Sequence, residues 1–395
     1  MALKKRQKKL IIGLGCLLAV VIAGGVAATI LLNREDGNGS KTGWSDVKKD
    51  DTLPQLESEN FTFAENTLIK IPDAESLSTF TVNREVNSRD DIGQKLPEIA
   101  QIIFGDILSD TQPVIQELTS GGFEGTLKKT DGSEHYNVRF YTDNQFIAYK
   151  SSTVANTTGA IADISRLENG EALSDKAYKM GSGQYTMQQA LDLCEGMIDK
   201  LSPYLDDLEY KPSRVVVFER EDGQGHAFRV EFSAYKDGVP FHDSSVTGKL
   251  LEADGSISLS SHCVYMLITE PDVVGAVNKC SGATLTDEKK IENGLITLSD
   301  ATELLADYYA PLYKHTIDEV SVEYVITSKL KKLTLDDGVV EGIEVTVVDS
   351  STVEPYWCFK LEDTPEFNYD VAYCREEQKL FVNMLTGDIY TYHNS

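Results

Sequence analysis

Two stretches of the chain repeat one order of local signals, and that recurrence is what most limits the folds open to it. Thr186-Met187-Gln188-Gln189-Ala190 and Thr297-Leu298-Ser299-Asp300-Ala301 lie 111 residues apart, each with a Thr ahead of an apolar-periodic run. A Thr in that place caps the open N–H groups of a first helical turn, and Gln189 completes a capping-box pattern in the first copy. Ala190, Leu193, Cys194, Met197 and Leu201 then fall on one helical stripe. The same shift brings them onto Ala301, Leu304, Leu305, Tyr308 and Leu312, the spacing of a core-facing helix.

Strand-like runs follow each helix. They are Arg214–Arg220, Ala227–Tyr235, Ser245–Glu252 and Ser256–Leu267 in the first copy. The second has Glu319–Thr327, Val339–Val348, Tyr356–Leu361, Leu380–Met384 and Asp388–Tyr392. Asp-Gly pairs at 222–223, 237–238, 254–255 and 337–338 supply the positive φ of tight turns. The closing glycines Gly255 and Gly387 are 132 residues apart, so the second copy carries about 21 more residues, placed at Glu362–Gln378. The expected fold class is α+β: an N-terminal transmembrane helix, then tandem units of one helix packed on an antiparallel sheet.

The membrane helix is read from Leu10–Leu32, 23 residues without a charge. That length suffices for about 30 Å of hydrocarbon. Lys4, Lys5, Arg6, Lys8 and Lys9 precede it and predict a cytoplasmic N-terminus with the rest of the chain outside the cell membrane. Beyond residue 32 the chain has 32 basic against 63 acidic residues, a surface that repels nucleic-acid phosphates. The predicted organisation is 1–9 basic tail, 10–32 transmembrane helix, 33–60 polar linker and 61–180 a first α+β region. The two repeat units follow at 186–285 and 295–395. Within 61–180, Ile92, Leu96, Ile99, Ile102 and Ile103 predict a helix over 91–108 whose start Pro97 breaks or kinks. Tyr136–Tyr149 predicts a hairpin turning at Thr142-Asp143-Asn144.

No constellation of catalytic residues stands out, and catalytic, cofactor-binding and metal-ligating residues are all expected to be none. The histidines, His135, His226, His242, His262, His315 and His393, never fall at i, i+4 on a predicted helix, and there is no Cys-x-x-Cys. His242-Asp243-Ser244-Ser245 holds triad residue types but reads as a strand entry. Gly223-Gln224-Gly225 is a turn without the Lys-Ser/Thr of a phosphate loop. Five cysteines outside the apolar run, Cys194, Cys263, Cys280, Cys358 and Cys374, make no disulfide framework. Cys263–Cys280 and Cys358–Cys374 are the pairs nearest in sequence.

Tyr235-Lys236-Asp237-Gly238-Val239-Pro240-Phe241, the run Val246–Ile257 ending Asp254-Gly255-Ser256-Ile257, and the tail Lys379–Ile389 together resemble PepSY and thermolysin-propeptide-type domains. Tandem units of this kind behind one N-terminal helix are similar to the YycH/YycI-type regulators of a Gram-positive histidine kinase and to YpeB-type germination proteins. The resemblance covers about 186–392, and Gly238, Pro240, Gly255 and Gly387 match it as structural positions. It implies no catalytic residues and a protein partner at the cell surface: a membrane kinase, wall hydrolase or protease that the chain regulates. The alternatives are an enzyme with a non-local active site and a passive adhesion protein.

Overall fold

Three helices of the chain begin on the same cap. Ser88 opens Arg89–Phe104 with a box closed by Asp91. Thr186 opens Met187–Leu201 with a box closed by Gln189. Thr297 opens Leu298–Tyr309, where Thr297 Oγ1 accepts from the Asp300 N–H at 3.2 Å and the Asp300 carboxylate accepts from the Thr297 N–H at 3.3 Å. In each case two N–H groups that the helix leaves open are satisfied by two neighbouring side chains. Among the described residues the α-helices are, in chain order, α1 (Trp44–Val47), α2 (Arg89–Phe104), α3 (Ser151–Ala155), α4 (Met187–Leu201) and α5 (Leu298–Tyr309). The computed structural model describes residues 42–49, 52–54, 61–84, 86–118, 122–157, 159–242, 257–260, 263–280, 282, 284–309, 315–335, 343–362 and 379–391.

Each of the three capped helices is followed by a four-stranded antiparallel meander. After α2 come β3 (Val114–Glu117), β4 (Phe123–Asp131), β5 (Glu134–Tyr141) and β6 (Phe146–Lys150). After α4 come β10 (Glu209–Glu219), β11 (His226–Lys236), β14 (Cys263–Ile268) and β15 (Ala276–Lys279). After α5 come β17 (His315–Leu335), β18 (Ile343–Leu361), β19 (Lys379–Asn383) and β20 (Ile389–Thr391). The hairpin expected at 136–149 is β5–β6, with Asn144 at φ 65°.

The architecture nevertheless differs from the expected one. The described structure is 50% strand and 22% helix, and its strands are shared among large sheets rather than parcelled one sheet to a helix. Antiparallel pairing of β6 with β15 fuses the first two meanders into a ten-stranded sheet, with β7 (Ile161–Arg166) on the far edge and β12 (Val239–Pro240) beside β11. β8 (Ala177–Met180) and β9 (Gly183–Thr186) form a separate two-stranded sheet ahead of α4. The third meander lies in an eight-stranded sheet with β1 (Phe61–Lys70), β2 (Ser78–Asn83), β13 (Ile257–Ser260) and β16 (Thr284–Lys290). β13 leaves the middle of the expected first unit to pair with β17, so the unit at 186–285 is not a self-contained helix on a sheet. An isolated meander has two open edges, and joining edges satisfies backbone groups that would otherwise stay open. The hydrophobic period of a helix reports its buried face and says nothing of which edges meet.

Two further expectations are corrected. No helix among the described residues is long and apolar enough to cross a membrane, and the single-pass, membrane-anchored placement of the chain is withdrawn. Residues 10–32, on which it was placed, lie outside the described residues. Part of the segment read as linker is α1, whose Trp44 and Val47 are buried. The Trp44 indole donates to the Ala74 carbonyl at 2.9 Å.

Alternation along the strands makes the two faces of each sheet chemically different. One face of the ten-stranded sheet packs Val215, Val217, Phe228, Val230, Phe232, Val264, Met266 and Val277 beneath α2 and α4. One face of the eight-stranded sheet packs Val320, Val322, Tyr324, Trp357, Phe359 and Val382 against α5. α2 runs unbroken through Pro97 from its start at Arg89, and Ile92, Leu96, Ile99 and Ile103 all point into the core. The equivalence of the α4 and α5 stripes fails at Tyr308, which is 40% exposed, and Leu312 lies outside the described residues.

Candidate functional site

The faces turned away from the helices carry charge, and part of that charge meets where the two sheets adjoin. On β17 the residues between the core positions are Glu319, Ser321 and Glu323, all buried. Their register partners on β18 are Lys360, Cys358 and Tyr356, and β19 adds Lys379 opposite Lys360. β1 contributes Lys70, paired with Ser321 in the parallel ladder. From the ten-stranded sheet, β10 and β11 bring Arg214, Ser233 and Tyr235. Of these residues all but Cys358 and Tyr356, together with Ile71, Pro72, Glu168, Gly238, Pro240, Phe241 and Val322, line a cavity of about 220 Å³.

Charge within the cleft is arranged as neighbouring pairs of opposite sign. Lys70 meets Glu319 at 2.9 Å and also hydrogen-bonds Asn169. Arg214 stands 3.4 Å from Glu231 and 4.0 Å from Glu168. Lys379 lies 2.8 Å from Glu323. Removing one member of a buried pair leaves the other charge uncompensated, which is costly.

Glu323 is the centre of a buried network beside the cleft. Its Oε1 accepts from Lys379 Nζ at 2.8 Å and from Ser321 Oγ at 2.7 Å, and its Oε2 faces His242 Nδ1 at 3.0 Å. Burial by itself would raise this carboxyl, but the Lys379 charge and the His242 contact outweigh it and hold Glu323 well below the usual carboxylate range. Burial, with the Glu323 charge adding to it, pushes the neighbouring Cys358 thiol well up, so it is a neutral thiol and a poor nucleophile.

His242 is placed by the same short segment that joins the sheets. β12 pairs with β11 through a turn in which Asp237 and Gly238 take φ 51° and 84°. The chain then crosses over: Phe241 bridges Tyr324 in parallel, and the His242 N–H donates to the Tyr324 carbonyl at 2.8 Å. The His242 ring lies edge-on to Phe381 at 4.9 Å, only 3% of the residue is exposed, and its Nε2 has no hydrogen-bond partner among the described residues.

No sequence position is marked beforehand as catalytic, cofactor-binding or metal-ligating, and the cleft is therefore new. Its members come from 70–72, 168, 214–241, 319–323, 360 and 379, a spread that no local motif spans. A signal did exist: Glu319, Ser321 and Glu323 alternate with apolar residues in a strand whose other residues are core-like. Acids on the inner side of a buried strand demand cationic partners. Of the remaining histidines, His135 faces Thr130 at 2.9 Å, His226 meets the Lys179 carbonyl at 3.1 Å, and burial lowers His315. His262 and His393 lie outside the described residues. Among the described residues no group of three His, Cys, Asp or Glu side chains is placed to hold a metal ion.

No family model matches the chain, and no curated protein matches it. A crystal structure of an uncharacterized protein from Eubacterium rectale is similar, with a TM-score of 0.53 at 12% identity, over 90% of this chain and 100% of that one. At that identity the likeness is one of fold. Nothing in these comparisons supports the PepSY-type, YycH/YycI-type or YpeB-type resemblance.

Proposed function

We propose that the protein is a non-catalytic binding protein that takes a peptide segment of a protein partner into the cleft between its sheets and so regulates that partner. The observation that carries this reading is the composition of the cleft wall. Lys70, Arg214, Lys360 and Lys379 stand beside Glu168, Glu319 and Glu323, with Pro72, Pro240 and Phe241 as the apolar part. Charges of both signs on fixed strands present donors and acceptors together, which suits a peptide's own amide groups and polar side chains. Peptides selected from a random library on the intact chain test the reading. They are expected to bind the wild type and to lose at least about tenfold affinity, 1.4 kcal/mol, on Lys360→Glu. Equal binding to the variant would remove the cleft from the account.

A second reading rests on His242. A carboxylate on Nδ1 is the arrangement that orients an imidazole as a general base, and Nε2 has no partner among the described residues. Assaying the intact chain on peptides, glycans and esters decides between the two. Turnover abolished by His242→Ala and by Glu323→Gln would make the chain an enzyme.

A further inference from the structure

We propose that Cys263 and Cys280 are a reversible disulfide site that fastens the two crossings of the chain between its sheets. The ladder of β14 and β15 pairs Val264 with Lys279, which sets Cys263 directly opposite Cys280. The Cys280 N–H donates to the Cys263 carbonyl at 3.0 Å. Residues opposite one another in an antiparallel pair project from the same face, and a hydrogen-bonded pair has Cα atoms about 5.5 Å apart, inside the disulfide range of about 4.4–6.8 Å. The next pair on that face, Tyr265 and Asn278, is already in side-chain contact at 2.7 Å.

Both residues are thiols in this structure. Cys263 is 5% exposed and Cys280 is half-buried, so Cys280 is the sulfur a reagent meets. The other two described cysteines have no cysteine opposite them among the described residues. Cys194 lies on the buried face of α4, and Cys358 stands opposite Ser321 and Phe381.

The position of the pair gives the bond a consequence. β13, ending at Ser260, belongs to the eight-stranded sheet, and β14, starting at Cys263, belongs to the ten-stranded one. Cys280 follows β15 in the ten-stranded sheet, and β16, starting at Thr284, is back in the other. A bond between the sulfurs closes the excursion 264–279 and ties its entry to its exit where the sheets meet.

The chemistry is exchange with a low-molecular-weight disulfide. The Cys280 thiolate attacks one sulfur of the donor, forming a mixed disulfide and expelling one donor thiolate. The Cys263 thiolate then attacks the Cys280 sulfur and expels the second. Each cysteine gives up one proton, the pair is oxidised by two electrons, and one donor disulfide becomes two thiols.

The test equilibrates the full chain in oxidised and reduced glutathione at graded ratios, then alkylates and maps peptides. The expected result is one linked peptide pair, Cys263 to Cys280, a mass lower by about 2 Da than the reduced chain, and a thermal midpoint higher by about 5 °C. Reduction reverses both, and Cys280→Ser abolishes both. The wild-type map decides even if that variant does not fold. Alkylation of both cysteines at every ratio, or a bond from either one to another cysteine or to a second chain, overturns the proposal.

Discussion

The charged residues that hold the molecule together act at single positions. Glu323 is nearly buried and stays ionised because Lys379, Ser321 and His242 all face it. A carboxyl held below its unfolded value contributes stability that is complete above about pH 4.3 and is lost as pH falls through the folded value. Glu323→Gln is therefore expected to lower stability by about 3 kcal/mol at neutral pH. The gap from the wild type should shrink as the medium is acidified below about pH 4. Urea midpoints of both proteins along a pH series measure it, and a gap independent of pH would show that the negative charge is not what matters.

Lys279 and Asp206 form a second buried pair at 2.8 Å, with side chains 0% and 1% exposed. Burial lowers the Lys279 amine, and the Asp206 carboxylate beside it pulls in the opposite direction. Removing one partner leaves the other charge buried, so Asp206→Ala is expected to cost about 3–5 kcal/mol. The double change Asp206→Leu with Lys279→Met is expected to cost less than either single substitution. Chemical denaturation of the three variants reads the difference.

At the scale of elements, close approach of backbones fixes how the sheets are joined. Gly282 lies in the crossing from β15 to β16, and a Cβ there would sit 1.7 Å from the Asp143 carbonyl oxygen. Backbone cannot yield as a flexible side chain does, so Gly282→Ala is expected to cost at least about 2 kcal/mol. The same substitution at Gly196, half-buried in α4 with nothing within reach of a Cβ, is expected to be neutral or stabilising. Denaturant midpoints compare the two.

Local chemistry was legible in the sequence at this scale and pairing was not. The Thr186 cap with Gln189, the stripe from Ala190 to Leu201 and the turn at Asp237-Gly238 follow from neighbours within a few residues. The meeting of β6 with β15 involves residues about 130 apart in sequence, and no period within either strand encodes it. Tyr308 shows the limit in a helix, since a position on the apolar stripe is buried only if something covers it. The cleft was illegible for the same reason. Lys70, Arg214, Glu323 and Lys379 are brought together by sheet order, and each alone reads as an ordinary charged residue in an acidic chain.

For the whole molecule, the sheets put apolar faces under helices and opposed charges where the sheets adjoin, and that cleft is the proposed place of binding. Hydrogen–deuterium exchange of the intact chain, with and without a library-selected peptide, tests this most directly. Added protection is expected at residues 70–72, 238–241 and 319–323, the strands and turn that wall the cavity. Protection confined to the outer strands 114–117 or 161–166, with those three segments unchanged, would contradict it.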